Sequence, residues 1–461
     1  MRGDLVVVVP GIMGTALTRD GHDVWDLSLQ AIGGILGSAR TKEMLKLQKD
    51  IRDDDPEPPH ALDVGGAIFG PRLLPGLISD IGYAGLRRKL GIEEDRFVVF
   101  PYDWRLSNRN SARKLRRFVD ERLSHWRETA DPALYPGAGD AKVVFLCRSM
   151  GGLVVRYYTE VLGGWEKTRS VTTLGTPFSG SVKALRFLTG QARWVPGPLN
   201  EQIREICSTY PSLGQLIPTY RIVLDPEDGR VALDSRTPLE GVDPWMIEES
   251  GRFFTDIDNA IQKNDALYGR HRYALFAFGG DKHRTDQAIS FPMGSKPRFH
   301  SDFSKSTDLN DRYLPSPRGD GTVSHLAQTP PEWSSTGQPL WLDSRHADLM
   351  NADKAIEQLK RICDDVPLAQ ALSSEYPVGV ELPDVAVAGE PFEMWATNAE
   401  AALRLRVRRL AENGRCVWDE EMRPCGDGTF RAEARAESGR WTLEVYSPTV
   451  RYVCRDVILV V

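Results

Sequence analysis

The sequence predicts an α/β fold built around a mostly parallel β-sheet, followed by a small C-terminal β-sandwich. Three observations lead to this prediction. Short apolar runs such as residues 5–9 recur between segments with helical periodicity, which is typical of parallel strands covered on both faces. Two long stretches, residues 18–75 and 178–272, do not follow this alternation of strand and helix patterns. From about residue 379 onward, helical periodicity gives way to alternation of apolar and polar residues.

Six apolar runs predict the strands of the sheet, namely residues 5–9, 96–100, 142–146, 170–174, 273–279 and 339–342. Residues 111–128 predict a helix between two of them, because their apolar side chains form a stripe at helical spacing. A chain of 461 residues can bury the cores of two or three domains. We expect the two interrupting stretches to be lid or cap insertions, because long loops of compact domains are often functional.

The C-terminal stretch predicts strands of the sandwich type. Leu405 and Val407 alternate with arginines, and Trp441 and Leu443 alternate with Thr442 and Glu444. Turn signals separate these segments at intervals typical of a small β-sandwich, which would be Ig-like. The predicted organisation is therefore a first domain over residues 1–365, a linker over 366–378 and a sandwich over 379–461.

The most informative motif is residues 147–152, Cys-Arg-Ser-Met-Gly-Gly, which follows an apolar run and precedes a helical pattern. A strand, a tight turn that carries a serine and a helix together make up a nucleophile elbow. Gly151 and Gly152 allow the strand and the helix to approach closely, and Cys147 is compact enough for the same purpose. The motif predicts Ser149 as a catalytic nucleophile.

A serine nucleophile needs a histidine base and a carboxylate that orients the histidine. Hydrolase folds deliver these residues in the chain order Ser, acid, His. Asp320 lies in the polar turn 319–323, and His346 follows the last predicted strand at 339–342. We therefore predict Asp320 as the acid and His346 as the base.

The tetrapeptide Gly-Asp-Gly-Thr occurs a second time, at residues 426–429, where no histidine follows it. That copy is typical of an ordinary turn, so the motif alone does not identify Asp320 as the acid. Asp320 is preferred because it lies between the serine and the histidine in the chain. Asp343 and Asp348 remain alternatives for the acid. His325 is a rival base, but it follows Asp320 too closely to leave room for another strand.

Two backbone N–H groups are candidates for an oxyanion hole. The Gly-rich turn at residues 10–14 comes directly after the first strand, where hydrolase folds place one such donor. The residue after the nucleophile supplies the other, at the start of the elbow helix. We predict the N–H groups of Ile12 and Met150 as the donors.

These motifs resemble the lecithin:cholesterol acyltransferase family, which includes acyltransferases and phospholipases of the α/β-hydrolase fold. The resemblance covers roughly the first four-fifths of the chain and is carried by residues 9–11 (Val-Pro-Gly), 101–105 (Pro-Tyr-Asp-Trp-Arg), 149–152 (Ser-Met-Gly-Gly), 174–177 (Leu-Gly-Thr-Pro), 210–213 (Tyr-Pro-Ser-Leu), 216–218 (Leu-Ile-Pro) and 319–323.

The resemblance implies Ser149, Asp320 and His346 as a catalytic triad, and Ile12 with Met150 as the oxyanion hole. It also implies a lipid ester as substrate, such as a phospholipid or another acyl glycerol. The chain departs from the family pattern in having arginine at position 148 instead of histidine. It also lacks a cysteine before residue 147 that would hold an N-terminal lid by a disulfide.

The prediction for function is serine-dependent acyl transfer on lipid esters, by a phospholipase, a lipase or an O-acyltransferase, without a metal or an organic cofactor. One alternative is a carboxylesterase for non-lipid esters. Another is an inactive hydrolase fold that serves as a binding or scaffold protein. The sequence does not distinguish water from an alcohol as the acyl acceptor.

Bulk properties bear on location and partners. The formal net charge of −6 argues against a nucleic-acid partner. No apolar run is long enough to span a bilayer, and the first strand begins too early to leave room for a signal peptide. We therefore expect a cytoplasmic protein with reduced cysteines, apart from a candidate disulfide between Cys416 and Cys425. Expected partners are the ester substrate, a membrane surface in transient contact, and a protein that docks on the C-terminal domain.

Overall fold

The computed structural model describes most of the chain. The described residues are 3–20, 22–25, 39–47, 61–67, 83–192, 197–225, 229–237, 239–270, 272–291, 296–301, 318–333, 338–364, 378–383, 385–397, 403–411, 415–426, 428–448 and 453–461.

Strands and helices alternate through the first part of the chain. In chain order they are β1 Leu5–Val9, β2 Thr15–Arg19, β3 His22–Trp25, α1 Ala39–Leu45, β4 Asp63–Ala67, α2 Tyr83–Leu90, β5 Phe97–Val99, α3 Asn108–Thr129, β6 Val143–Arg148, α4 Gly151–Arg156, β7 Thr168–Leu174 and α5 Val182–Leu188. A π-helix, Tyr157–Val161, continues α4, and short 3₁₀ helices lie at Ala138–Asp140 and Gly164–Lys167.

The middle of the chain adds the second insertion and completes the central sheet. Its elements are α6 Gly197–Cys207, α7 Pro211–Gly214, β8 Arg221–Asp225, β9 Gly229–Ala232, α8 Pro244–Tyr268, β10 Ala274–Gly280, β11 His283–Arg284, β12 Ala288–Ser290, β13 Arg298–His300, β14 Arg318–Gly319, β15 Leu340–Leu342 and α9 Asp353–Cys363. The C-terminal elements are β16 Gly379–Glu381, β17 Val385–Ala386, β18 Pro391–Thr397, β19 Arg406–Leu410, β20 Cys416–Glu421, β21 Arg423–Gly426, β22 Thr429–Arg435, β23 Gly439–Tyr446 and β24 Val453–Val460.

The central sheet has the strand order β15-β10-β7-β6-β1-β5, and every pairing in it is parallel. Each of the six strands predicted from apolar runs falls on one of these strands. Parallel strands end at the same edge, so the register decides which loops meet there. Val9 at the end of β1 lies opposite Cys147 of β6, and Leu174 of β7 lies opposite Arg148.

Helices cover both faces of this sheet. On one face Val7 and Val9 belong to the same core as Leu115 and Val119 of α3. On the other face Val6 and Val8 pack in a core with residues of α2 and α9. Continuous apolar runs are required for strands that are buried on both sides. The central sheet confirms the predicted α/β architecture.

Helix α3 shows how the sequence determines one of these layers. The Ser107 hydroxyl accepts a hydrogen bond from the Arg109 N–H at 3.1 Å and caps the N-terminus. The predicted apolar stripe is buried at Leu115, Val119 and Leu123. The helix begins before the predicted range because its capping residue, Ser107, precedes the apolar stripe from which the range was predicted.

The C-terminal strands form two sheets around one core. Their orders are β16-β18-β22-β21 and β17-β24-β23-β19-β20. The alternation predicted for this region is observed, since Leu405, Val407 and Leu443 are buried in the shared core. Pairing is antiparallel except between β17 and β24.

Two predictions concern segments around this domain. The predicted linker 366–378 lies outside the described residues except for Val378. Cys416 and Cys425 are both exposed free thiols and lie in different sheets, so the candidate disulfide is not formed. None of the helices in the described part of the chain has the length and apolar composition that crossing a bilayer requires.

Candidate active site

Ser149 occupies the sharp turn between β6 and α4. Its φ of +51° is in the left-handed region that side chains other than glycine rarely adopt. The turn is held in place by hydrogen bonds on both sides of the serine: its N–H donates to Leu174 O at 2.9 Å, and its carbonyl accepts from Thr176 Oγ1 at 2.8 Å. A strained residue fixed by its surroundings is typical of functional sites.

Small residues allow the elbow to form. A Cβ on Gly151 would collide with the carbonyl oxygens of Val9 and Pro10, and a Cβ on Gly11 would lie 2.9 Å from the Ser149 Cβ. Cys147 is fully buried, and burial raises the pKa of its thiol well above the usual value. Cys147 is therefore a protonated core residue at neutral pH.

The three side chains predicted to act together lie in one hydrogen-bonded chain. The distance from His346 Nε2 to Ser149 Oγ is 2.9 Å, and the distance from His346 Nδ1 to Asp320 Oδ2 is 2.7 Å. The other carboxylate oxygen of Asp320 accepts from the N–H groups of Thr322 and Val323 at 2.9 and 2.7 Å. The acid is thereby held in one orientation with its second oxygen directed at the imidazole.

The loops that carry acid and base are also joined through the backbone. The His346 N–H donates to Asp320 O at 2.8 Å. Both residues are almost fully buried, with 2% of the His346 surface and 0% of the Asp320 surface exposed. A buried carboxylate is costly unless it is fully hydrogen-bonded, and these contacts meet that requirement.

Gly175 is a site residue whose role the sequence did not reveal. Its φ is +65°, and a Cβ there would lie 2.8 Å from His346 Nδ1 and 2.9 Å from Asp320 Oδ2. Glycine is therefore required by the backbone conformation and by the close approach of the acid–base pair. The Leu-Gly-Thr-Pro run at residues 174–177 was the sequence pattern from which a role of Gly175 could have been predicted.

The predicted oxyanion donors lie beside the serine. Ile12 and Met150 are buried, and Ile12 and Ser149 line the same cleft. Among the described residues, neither N–H donates a hydrogen bond to another protein group. The Tyr102 hydroxyl donates to Pro10 O at 2.8 Å and so fixes the turn that carries Ile12.

The neighbouring residues of the same motif hold the first insertion. Arg105 forms a bidentate pair with Asp103, with N–O distances of 2.9 and 2.7 Å. Its Nη1 also donates to the carbonyl oxygens of Met44 and Leu45, both at 3.1 Å. Trp104 donates to Thr15 O at 3.0 Å. Trp104 therefore anchors the chain at Thr15, and Arg105 caps backbone carbonyls at the end of α1.

The alternative candidates have other contacts. His325 stacks on Trp341 with 3.7 Å between ring centroids. The backbone carbonyl of Asp343 accepts from His283 Nε2 at 3.0 Å, and the backbone N–H of Asp348 donates to Arg345 O. Of the acidic candidates, Asp320 is the one whose carboxylate reaches His346 Nδ1.

Arg148, where the family pattern has histidine, directly precedes Ser149 at the end of β6. It is buried, and burial lowers the pKa of its guanidinium, while the charges of Asp320, Asp348 and Asp456 oppose that shift. Asp456 belongs to the C-terminal domain, so the two parts of the chain are electrostatically linked behind the nucleophile.

A predominantly apolar cleft begins at Ser149. The cleft together with its solvent-filled mouth contains about 530 Å³ that protein atoms do not occupy. Its lining residues are Ile12, Met13, Ser149, Pro177, Ser181, Lys183, Ala184, Phe187, Cys207, Tyr210, Leu213, Leu216, Thr322 and Val323. Most of them come from the insertion 178–272, whereas the described part of the insertion 18–75 contributes none. Within the described part of the chain, no cluster of His, Cys, Asp or Glu is arranged to hold a metal ion.

The fold is that of the α/β-hydrolases, with the serine turn, the acid turn and the histidine loop at one edge of the sheet. Residues 86–237 match the family model described as lecithin:cholesterol acyltransferase. The match confirms the resemblance indicated by the motifs, and it supports an ester-acting enzyme of the hydrolase or acyltransferase kind. A search among curated proteins gave no significant match.

Several solved structures are similar to the chain. The Tle4–Tli4 complex matches at 15% identity with a TM-score of 0.48, over 80% of this chain and 100% of that one. The propeptide form of the Bacillus licheniformis lipase BlEst2 matches at 13% identity with a TM-score of 0.34, over 98% and 73%. Phospholipase PlaB from Legionella pneumophila matches at 10% identity with a TM-score of 0.19, over 82% and 84%.

Proposed function

We propose that this protein transfers acyl groups from lipid esters through a Ser149–His346–Asp320 triad and an acyl-enzyme. The observation that carries the proposal is the continuous hydrogen-bonded chain from Ser149 Oγ through the imidazole to Asp320 Oδ2. Such a chain activates a serine hydroxyl and stabilises the imidazolium that forms when the base takes its proton.

The first half-reaction makes the acyl-enzyme. Ser149 Oγ attacks the ester carbonyl while His346 Nε2 takes its proton, and Asp320 keeps the imidazole in the productive tautomer. The N–H groups of Ile12 and Met150 stabilise the negative charge on the carbonyl oxygen. Each such donor is typically worth about 2.7–4 kcal/mol in the transition state. The imidazolium then protonates the leaving alcohol, which departs.

The second half-reaction releases the acyl group. His346 removes a proton from water or from an acceptor alcohol as its oxygen attacks the acyl-serine. The bond between the acyl carbon and Ser149 Oγ then breaks, and the imidazolium returns the proton to Ser149 Oγ. The apolar cleft beside Ser149 suits an acyl chain, because burial of apolar surface stabilises its binding. We infer a phospholipid or another acyl glycerol as the substrate, which brings the enzyme into transient contact with a membrane surface.

Labelling and product analysis test this proposal. A fluorophosphonate probe is expected to label the wild type at Ser149 and to leave Ser149→Ala unlabelled. Mass spectrometry of a total-lipid extract is expected to show loss of acyl lipids with the wild type only, since removal of a triad serine typically costs about a million-fold in kcat. Equal labelling of both proteins, or of neither, would contradict it.

A labelled phospholipid, offered with and without a fatty alcohol or a sterol, separates hydrolysis from transfer. Free fatty acid alone identifies a hydrolase, and a new ester identifies an acyltransferase.

A further inference from the structure

The loop that carries the proposed base contacts the C-terminal domain directly. Arg345 precedes His346, and its guanidinium Nε lies 2.8 Å from Asp456 Oδ2 on β24. Both side chains are buried, with 8% and 2% of their surface exposed. The Nε–H is not aligned for a hydrogen bond, so the contact is an ion pair.

Asp456 occupies a position that the sandwich would otherwise give to an apolar residue. Side chains alternate along a strand, so Asp456 shares its face of β24 with Cys454 and Ile458, which belong to the core of the domain. A carboxylate at such a position is destabilising unless an opposite charge pairs with it. The partner is supplied by the other domain, beside the proposed base.

Arg345 also packs against the turn of the proposed acid. A Cβ on Gly321, the residue after Asp320, would lie 3.4 Å from Arg345 Nη2. The other guanidinium nitrogen, Nη1, reaches Leu382 O at 3.5 Å, just after β16. One side chain therefore lies between the acid turn, the base loop and two segments of the sandwich.

His283 makes a second connection of the same kind. Its Nε2–H donates to Asp343 O at 3.0 Å, three residues before the base, and its Nδ1 accepts from the Val380 N–H of β16 at 3.1 Å. Its backbone pairs with Gly319 and bridges to Asp320. The backbone of His283 thus contacts the strand before the proposed acid, while its imidazole joins the loop of the proposed base to the first strand of the sandwich.

From these contacts we propose that the C-terminal sandwich is part of the scaffold of the active site, with Asp456 as a positioning residue that holds the His346 loop through Arg345. The inference rests on the proposed triad function. It assigns the domain a role in every turnover, whatever the ester, rather than a role limited to docking on membranes or on a partner.

A pair of matched substitutions tests the role of Asp456. Asp456→Asn keeps the shape and removes the charge that pairs with Arg345. Asp419→Asn is the control, because Asp419 lies in the same domain and pairs at the surface with Arg406 at 2.7 Å. The readouts are kcat and KM on p-nitrophenyl butyrate, the rate of fluorophosphonate labelling, and activity on phosphatidylcholine vesicles.

We expect Asp456→Asn to lower kcat about 10- to 100-fold with KM nearly unchanged, because a small displacement of a catalytic group has effects of that size. The loss should be the same factor on the soluble ester and on vesicles, whereas Asp419→Asn stays near wild type. Arg345→Lys, which keeps the charge, should retain more activity than Arg345→Gln.

Three outcomes would overturn the inference: a kcat for Asp456→Asn that equals that of the control, a loss confined to vesicles, or equal activity of the two Arg345 variants. If Asp456→Asn fails to fold, the comparison of Arg345→Lys with Arg345→Gln tests the inference instead. Thermal melting of both variants checks that they are folded. An unlabelled wild type would instead refute the proposed function, so the two failures are distinguishable.

Discussion

The same tetrapeptide, Gly-Asp-Gly-Thr, occurs at residues 319–322 and at 426–429 and has different surroundings in the two places. In the first copy the aspartate carboxylate contacts His346 Nδ1 and lies with none of its surface exposed. In the second copy, whose Asp427 lies outside the described residues, Gly426 pairs with Thr429 where β21 turns into β22. Local sequence makes both segments turns, and tertiary contacts make only one of them a candidate catalytic site.

The largest expected difference between the copies is in turnover. Asp320→Asn should lower kcat about 10⁴-fold, because an amide no longer holds the imidazole in the productive tautomer. Asp427→Asn, the same replacement in the second copy, should leave kcat at the wild-type value. Steady-state hydrolysis of p-nitrophenyl butyrate measures both, and similar losses in the two variants would remove the distinction.

A second difference between the copies is that the buried residue His283 supports the turn of the first one. Burial lowers the pKa of His283 from 6.5 to about 4, and the charge of Arg345 adds to this shift. The charge of Asp320 partly opposes it. The unfolded chain takes up a proton near pH 6.5, whereas the folded chain does not until about pH 4. The stability supplied by this neutral histidine is therefore complete above pH 6.5 and decreases as the pH falls, by about 3 kcal/mol at pH 4.

Urea unfolding of the wild type and His283→Asn between pH 7 and pH 4 measures this contribution. The variant should be less stable at pH 7 and should lose less stability on acidification. Parallel curves for wild type and His283→Asn would show that His283 does not support the acid turn in this way.

The smallest expected difference concerns the first glycine of each copy. A Cβ on Gly319 would collide with Val323 O and the Thr285 side chain, whereas a Cβ on Gly426 would meet nothing within 4 Å. Gly319→Ala should displace the acid turn and lower kcat about tenfold or more. Gly426→Ala, where φ is +91°, should cost about 1–2 kcal/mol of stability from backbone strain alone and leave kcat unchanged.

Thermal melting and ester hydrolysis, measured on both alanine variants, separate the two effects. Reversed results, with activity lost only in Gly426→Ala, would contradict the structural comparison.

The sequence was sufficient to predict those parts of the molecule that local sequence patterns determine. Apolar runs predicted the six central strands because strands buried on both faces must be apolar along their whole length. The elbow was recognisable because its glycines are required by close approach, Gly151 to the end of β1 and Gly152 to the Thr176 side chain. Asp320 and His346 could be proposed from chain order, although the contacts of His346 with Ser149 Oγ and with Asp320 depend on the folded loops.

Other parts of the site depend on contacts that no local pattern encodes. Gly175 lies against the His346–Asp320 pair because β7 ends beside β6 and β10. The Arg345–Asp456 pair joins two segments far apart in the chain. In the sequence, Arg455 and Asp456 are adjacent charges within an apolar strand pattern, and nothing there identifies Arg345 as the partner of Asp456.

The Tyr-Asp-Trp-Arg motif anchors one side of the cleft without lining it. Tyr102 holds the turn before Ile12, Trp104 packs edge-on against Tyr210 with 5.7 Å between ring centroids, and the Ser212 hydroxyl donates to Arg105 O at 3.2 Å. The same motif thus contacts both the turn that carries Ile12 and the Tyr210 side of the cleft. A substitution in this motif can therefore disturb the turn before Ile12 and the Tyr210 side of the cleft together, although none of its residues lines the cleft.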